Sequence, residues 1–159
     1  MACVHTFPLL TPRTAKKLFR QLQQLPAEAP NSMNRYGRYL DDPKWQRWVD
    51  VIVAKHVAPL AKRCYGIRLA ARGHYAFAVE YDVRKQKSLA PHFDSSDVTL
   101  NVCVGGTFKG GDLVLTDRGL SIEQTVGRAI VHRGAEIHQA KPLTRGKRMN
   151  VVIWCKRRR

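Results

Sequence analysis

Apolar residues first recur at helical spacing. Ala15, Leu18, Leu22 and Leu25 form one stripe behind Thr11-Pro12, where a threonine can cap a helix and a proline suits its first turn. Pro26 and Pro30 end that helix, and the polar stretch 31–39 reads as a loop. Asp41-Asp42-Pro43 signals a second helix start. Trp45, Trp48, Val49, Ile52 and His56 then share a face, Pro59 kinks or shortens the helix, and Gly66 closes it. A tryptophan-rich stripe of this kind is suited to covering a sheet.

From Gly73 the period changes to two. Tyr75, Phe77, Val79 and Tyr81 alternate with His74, Ala76, Ala78 and Glu80. A second strand spans 98–104, with Thr99, Asn101 and Cys103 on one side and Val98, Leu100, Val102 and Val104 on the other. Gly110-Gly111 makes a turn before a short strand at 112–116. Further strands are predicted at 127–132 and 149–155, with Arg148 opening the last. Helices followed by many short strands predict an α+β fold, in which helices buttress a β-sandwich or jelly roll.

A chain of 159 residues suits a single domain. Its parts are a mainly helical support region at 1–73, a β core at 74–156 and a basic tail at 157–159. With 44% hydrophobic and 25% charged residues the chain is globular rather than disordered. No apolar run reaches the roughly 18 residues of a membrane span. Residues 1–10 lack the pattern of a secretory signal, so an intracellular protein, cytoplasmic or nuclear, is expected. The cysteines, at 3, 64, 103 and 155, form no C-x-x-C pair, zinc spacing or disulfide framework, which fits reduced thiols. The net charge of +16 changes the picture more: nucleic acid becomes a candidate partner, or the charge serves solubility alone.

Chemistry enters at Pro91-His92-Phe93-Asp94. On extended backbone His92 and Asp94 point to the same side, so one strand edge can offer both to a metal. His138, further along, can supply a third ligand from another strand. Two histidines and one carboxylate on one face of an iron leave three positions open, the arrangement of non-heme Fe(II) oxygenases. Arg148 shares a face with Asn150, Val152 and Trp154, and its planar fork can hold a carboxylate through two parallel hydrogen bonds.

The stretches PHFDSSDVTLNVCVGGTFKGGDLVLTD and VGRAIVHRGAEIHQAKPLTRGKRMNVVIWCK carry the combined string H-x-D-S-S-x-x-T-x-N-V, G-G-x-L, G-x-x-x-x-H, then H with a following G-x-R. This string resembles the core of the 2-oxoglutarate/Fe(II) oxygenase superfamily, closest to its prolyl and lysyl hydroxylase branch. The similarity covers 75–156, and none of the motifs that carry it lies in 1–73. The resemblance implies a double-stranded β-helix (a jelly roll) with supporting helices. It places iron on His92, Asp94 and His138, and the distal carboxylate of 2-oxoglutarate on Arg148. Tyr81 matches a tyrosine that often touches the co-substrate, Thr99 and Asn101 line the same pocket, and Trp154 packs near the metal. The implied reaction consumes O2 and 2-oxoglutarate, hydroxylates a substrate C–H bond and releases succinate and carbon dioxide, with ascorbate as a candidate reductant.

Several neighbours compete for these roles. His132 precedes His138, but the spacing to Arg148 favours His138 as ligand. Asp97 competes with Asp94 but breaks the motif. Arg145 and Lys147 flank Arg148, and Lys147 points to the opposite side of a strand. His5, His56 and His74 have no partners at ligand spacing and read as packing or surface residues. The substrate implied by the branch is a protein or peptide side chain. The charge motivates an alternative oxygenase acting on nucleic acid, for which Tyr36 and Tyr39 are the only base-stacking candidates. A non-catalytic basic binding module on the same fold is a third reading, disfavoured by the complete residue set. The basic tail reads as a nuclear address, a nucleic-acid patch or an ordinary basic terminus.

Overall fold

The computed structural model describes residues 3–159. Strand β1 (His5–Pro8) is followed by helix α1 (Pro12–Gln23), whose start is capped as expected: the Thr11 side chain accepts from the Thr14 N–H. Strand β2 (Gly37–Tyr39) lies within the stretch expected to be loop. Helix α2 (Pro43–Ile52) starts at Asp42, whose carboxylate accepts from the N–H groups of Lys44 and Trp45. The chain does not break near Pro59. One π-helical turn (Val53–Val57) leads directly into α3 (Ala58–Tyr65), with Pro59 in the first turn of α3. Gly66, at φ +67°, ends α3 in the left-handed conformation.

The remaining strands are β3 (Tyr75–Asp82), β4 (Leu89–His92), β5 (Val98–Gly110), β6 (Leu113–Leu115), β7 (Leu120–Ile122), β8 (Arg128–Arg133), β9 (His138–Ala140) and β10 (Leu143–Cys155). They form two antiparallel sheets, one ordered β1-β8-β5-β10-β3-β2 and the other β4-β9-β6-β7. The support region is thus not purely helical: it contributes both edge strands of the larger sheet. Neither segment is long enough to show a period of its own. β5 and β10 also run longer than their hydrophobic pattern predicts, because residues 143–148 of β10 pair with 106–110 of β5 beyond the alternating apolar runs.

Period-two alternation divides the larger sheet between two cores. Ala76, Ala78, Leu100, Val102, Val151 and Ile153 join Leu18, Leu22, Trp45, Val49 and Val57 of the helical layer. On the opposite face Phe77, Val79, Tyr81 and Val152 look toward the smaller sheet, where Leu113 and Leu115 meet Ile130. Helices therefore cover one side of the large sheet, and the other side is left to build a cavity. No helix among the described residues is long and apolar enough to cross a membrane.

Two of the histidines judged to be packing residues behave as such. His56 stacks on Phe7, with ring centroids 6.1 Å apart. His74 is buried, with Nε2 3.1 Å from the Ala70 carbonyl and Nδ1 accepting from the Lys156 N–H. That pattern requires the neutral ring. Burial holds its pKa below the ordinary 6.5, although the Ala70 carbonyl and Asp50 oppose this. The unfolded chain then binds a proton near pH 6.5 that the folded chain refuses, so this group lowers stability as pH falls through that value. His74→Gln, which cannot titrate, should lose less stability than the parent between about pH 7 and about pH 5. Urea midpoints measured across that range check this, and equal losses would count against it.

Candidate active site

The sheets enclose a cavity with Tyr81, Thr99, Asn101, Arg148 and Trp154 on the large-sheet wall and His92 and His138 on the small-sheet wall. The two histidines are cross-strand partners in the β4–β9 ladder, so their rings project side by side, with centroids 4.3 Å apart. Each ring is oriented from behind. The Nδ1 of His92 donates to the Ala90 carbonyl and that of His138 to the Glu136 carbonyl, each at 2.8 Å. Both Nε2 atoms are left facing the cavity as lone-pair donors.

Asp94 lies just beyond β4 and completes the group. Its Oδ1 is 3.6 Å from His92 Nε2, and its Oδ2 is 3.5 Å from His138 Nε2. The three side chains each place a ligand atom within 4.8 Å of the others, close enough to hold one metal ion. Thr99 donates to Asp94 Oδ2 at 2.6 Å, and the Ser96 hydroxyl lies 2.8 Å from the Thr99 oxygen. Burial works to raise the Asp94 pKa, but His92, His138 and Thr99 outweigh it and keep the carboxylate ionised. Burial lowers His138 despite the attraction of Asp94. Burial also works to lower His92, yet Asp94 and the Ala90 carbonyl leave it above its ordinary value. A cation entering here would compete with protons for the His92 Nε2.

The structure separates these residues from their competitors. Asp97 is engaged by Arg157, whose backbone N–H and Nε donate to it at 2.8 and 2.7 Å. His132 is fully buried behind His138, with ring centroids 4.5 Å apart, and burial pushes its pKa down to about 4. It is not one of the converging ligands. Lys147 points outward to Asp82 at 3.2 Å, and Arg145 is exposed. Tyr36 and Tyr39 are exposed and do not line the cavity.

Arg148 lies in the middle of β10 rather than at its start, and only 2% of it is exposed. Its guanidinium lies 4.9 Å from the ring centre of Tyr81, its cross-strand partner, and 5.4 Å from that of Phe108. One Nη donates to the Gly111 carbonyl, and Nε has no partner. Among the described residues no carboxylate forms an ion pair with this buried cation. Cation–π contacts offset only part of the cost of removing it from water. The site is therefore suited to an anion that enters through the cavity.

Phe108 was not legible in the sequence. A bulge in the β5–β10 ladder next to Asn150 shifts the parity of β5, which turns Phe108 toward Arg148. Gln124 was missed as well. It accepts from Asn150 at 3.0 Å, and Asn150 also donates to Asn101 at 2.6 Å, forming an amide cluster in the cavity wall. Gln124 sits in a connection with no pattern to single it out. Trp154 packs edge-on to Phe77, with ring centroids 5.2 Å apart, and lines the same cavity.

Two facing antiparallel sheets, buttressed by helices on one side and holding this cavity between them, define the jelly-roll oxygenase fold. A prolyl hydroxylase from Trichoplax adhaerens, solved in complex with a hypoxia inducible factor oxygen degradation domain peptide fragment, superposes with a TM-score of 0.73. That match covers 98% of this chain and 84% of the other at 14% identity. In sequence, the chain is 34% identical over 145 residues to the 2-oxoglutarate and iron-dependent oxygenase domain-containing protein CP2 of Arabidopsis thaliana, covering 80% of this chain and 36% of the relative. It is 32% identical over 171 residues to the 2-oxoglutarate and iron-dependent oxygenase domain-containing protein 2 of Homo sapiens, covering 95% of this chain and 48% of the relative. The chain thus spans half or less of these relatives' length. No family model matches it. The chain belongs to the 2-oxoglutarate/Fe(II) oxygenase superfamily.

The turn that receives Arg148 allows no side chain. At Gly111, φ is +79°, and a Cβ would lie 2.5 Å from the Arg148 Nη1 and 2.6 Å from Leu143 Cδ2. At Gly119, φ is +60° and a Cβ would meet open space. Gly119→Ala should therefore cost only the backbone term, about 1–2 kcal/mol. Gly111→Ala should cost roughly 1–3 kcal/mol more through overpacking. Denaturant unfolding of the two variants checks the difference, and equal losses would mean that the turn yields without displacing Arg148.

Proposed function

We propose that this chain is an Fe(II)- and 2-oxoglutarate-dependent hydroxylase acting on a side chain of a protein or peptide. The reading rests on one observation: a buried guanidinium without an acidic partner shares a cavity with two histidines and a carboxylate whose donor atoms converge. In this proposal His92, Asp94 and His138 hold iron, and Arg148 fixes the distal carboxylate of 2-oxoglutarate. Bound iron supplies the redox chemistry that couples O2 and loss of carbon dioxide from the keto acid to hydroxylation, leaving succinate. The protein's own groups orient the reactants. Thr99 keeps one Asp94 oxygen turned, Tyr81 and Phe108 confine the arginine fork, and the amides of Asn101, Asn150 and Gln124 supply a polar wall.

The peptide half is supported by the structural similarity to a hydroxylase solved with a peptide. Residues 31–34 and the exposed Phe93 line the cavity. Tyr36 and Tyr39 lie off the cavity, which weakens the base-stacking alternative.

His92→Ala or His138→Ala should abolish Fe(II) retention and turnover, measured as succinate release with ascorbate as reductant. Full turnover in either variant would remove the proposed site. Arg148→Ala should weaken 2-oxoglutarate binding by roughly 30- to several-thousand-fold, the equivalent of about 2–5 kcal/mol for breaking a buried charge pair. Arg148→Lys should weaken it less, since it keeps the charge and loses the fork. Iron affinity should persist in both. Calorimetry with iron present checks this, and no 2-oxoglutarate binding by the parent would overturn the activity. A succinate-release screen over peptides and oligonucleotides tests the substrate class, with turnover on oligonucleotides alone overturning the peptide half.

A further inference from the structure

A second group of metal-binding side chains lies outside the cavity, where β1 meets α3. Cys3, His5 and Cys64 each place one ligand atom within 4.8 Å of the others. None of them lines the cavity that holds His92. Cys3, His5 and Phe7 are spaced two apart, and Phe7 packs against the helical layer, so extended backbone directs all three toward the helices. Cys64 comes from the last turn of α3 and meets His5 there, with Nε2 2.9 Å from Sγ. The next residue, Tyr65, holds the strand in place: its hydroxyl donates to the Cys3 carbonyl and lies 3.5 Å from the Val131 carbonyl.

We infer that Cys3, His5 and Cys64 form a second metal site, selective for a thiophilic cation of the Zn(II) class. Two thiolates and an imidazole are a soft-to-borderline donor set, whereas the cavity offers imidazoles and a carboxylate. Donor chemistry thus sorts two metals between two sites in one chain. Three protein ligands leave a fourth tetrahedral position, and the exposure of Cys3 leaves that position to water. Binding replaces two S–H bonds with two metal–sulfur bonds and releases two protons. It also clips an edge strand to the helical layer. β1 has a ladder partner on one side only, β8, and β8 carries His132 behind His138.

The test uses the full chain, reduced and metal-free, titrated anaerobically with Co(II) as a coloured stand-in for Zn(II). The converging ligands of the cavity are two imidazoles and a carboxylate, with no thiolate, so thiolate-to-Co(II) charge-transfer absorption reports the new site alone. One equivalent should develop that absorption, and Zn(II) should bleach it. Asp94→Ala should keep it, and Cys3→Ser and Cys64→Ser should each lose it. A second measurement needs no variant: Zn(II) should protect Cys3 and Cys64 from alkylation mapped by mass spectrometry. Absence of the band in the parent, its persistence in both cysteine variants, its loss in Asp94→Ala, or unprotected alkylation of Cys3 and Cys64 would each overturn the proposal.

Discussion

Strand β10 lies between β5 and β3 and is buried on both faces from Arg148 to Ile153. Each residue must therefore suit one of two environments. Met149, Val151 and Ile153 enter the helix-facing core, while Arg148 and Val152 line the cavity and Asn150 between them donates to the cavity-lining Asn101 and Gln124. A register slip of one residue would send a guanidinium and an amide into packed hydrocarbon and turn aliphatic side chains into the cavity. The same register sets Tyr81 opposite Arg148, and through the bulge it sets Phe108 there too. The cost of misplacing one buried cation thus constrains the strand that organises both sheets.

The smaller sheet follows a related logic. Its ladder needs only to set His92 opposite His138, and the local carbonyls of Ala90 and Glu136 then fix which nitrogen of each ring is exposed to the cavity. Rigid ligands held by a sheet, rather than by loops, lower the entropy cost of assembling a metal site. Asp94, beyond the strand end, depends on Thr99 from the opposite sheet, so the two walls of the cavity are joined through the site itself.

The charge imbalance is distributed as unevenly as the polarity. Glu80, Asp82, Asp97 and Glu136 are each paired with basic residues, which leaves few acidic groups to balance the surface lysines and arginines. The field outside the molecule is consequently positive. Arg148 is exceptional among these cations because it is withheld from solvent and lacks an acidic partner.

The sequence by itself determined the caps at Thr11 and Asp42, the helical stripes and the two faces of β3 and β5. These features depend on near neighbours: a cap needs a side chain within one turn, and a face needs only alternation. Resemblance, carried by the long motif string, supplied the grouping of His92, Asp94, His138 and Arg148 as an expectation. Tertiary structure decided what depends on pairing between distant segments. β1 and β2 are strands because β8 and β3 accept them, and Pro59 is tolerated because a π-helical turn precedes it. Asp97 is withdrawn from the site by Arg157, and Phe108 is turned inward by a bulge. His5 read as a residue with no ligand partner in the sequence, and it meets Cys3 and Cys64 only because α3 packs beside β1. Convergence of that kind is set by the register and packing of segments far apart in the chain, which no local pattern encodes.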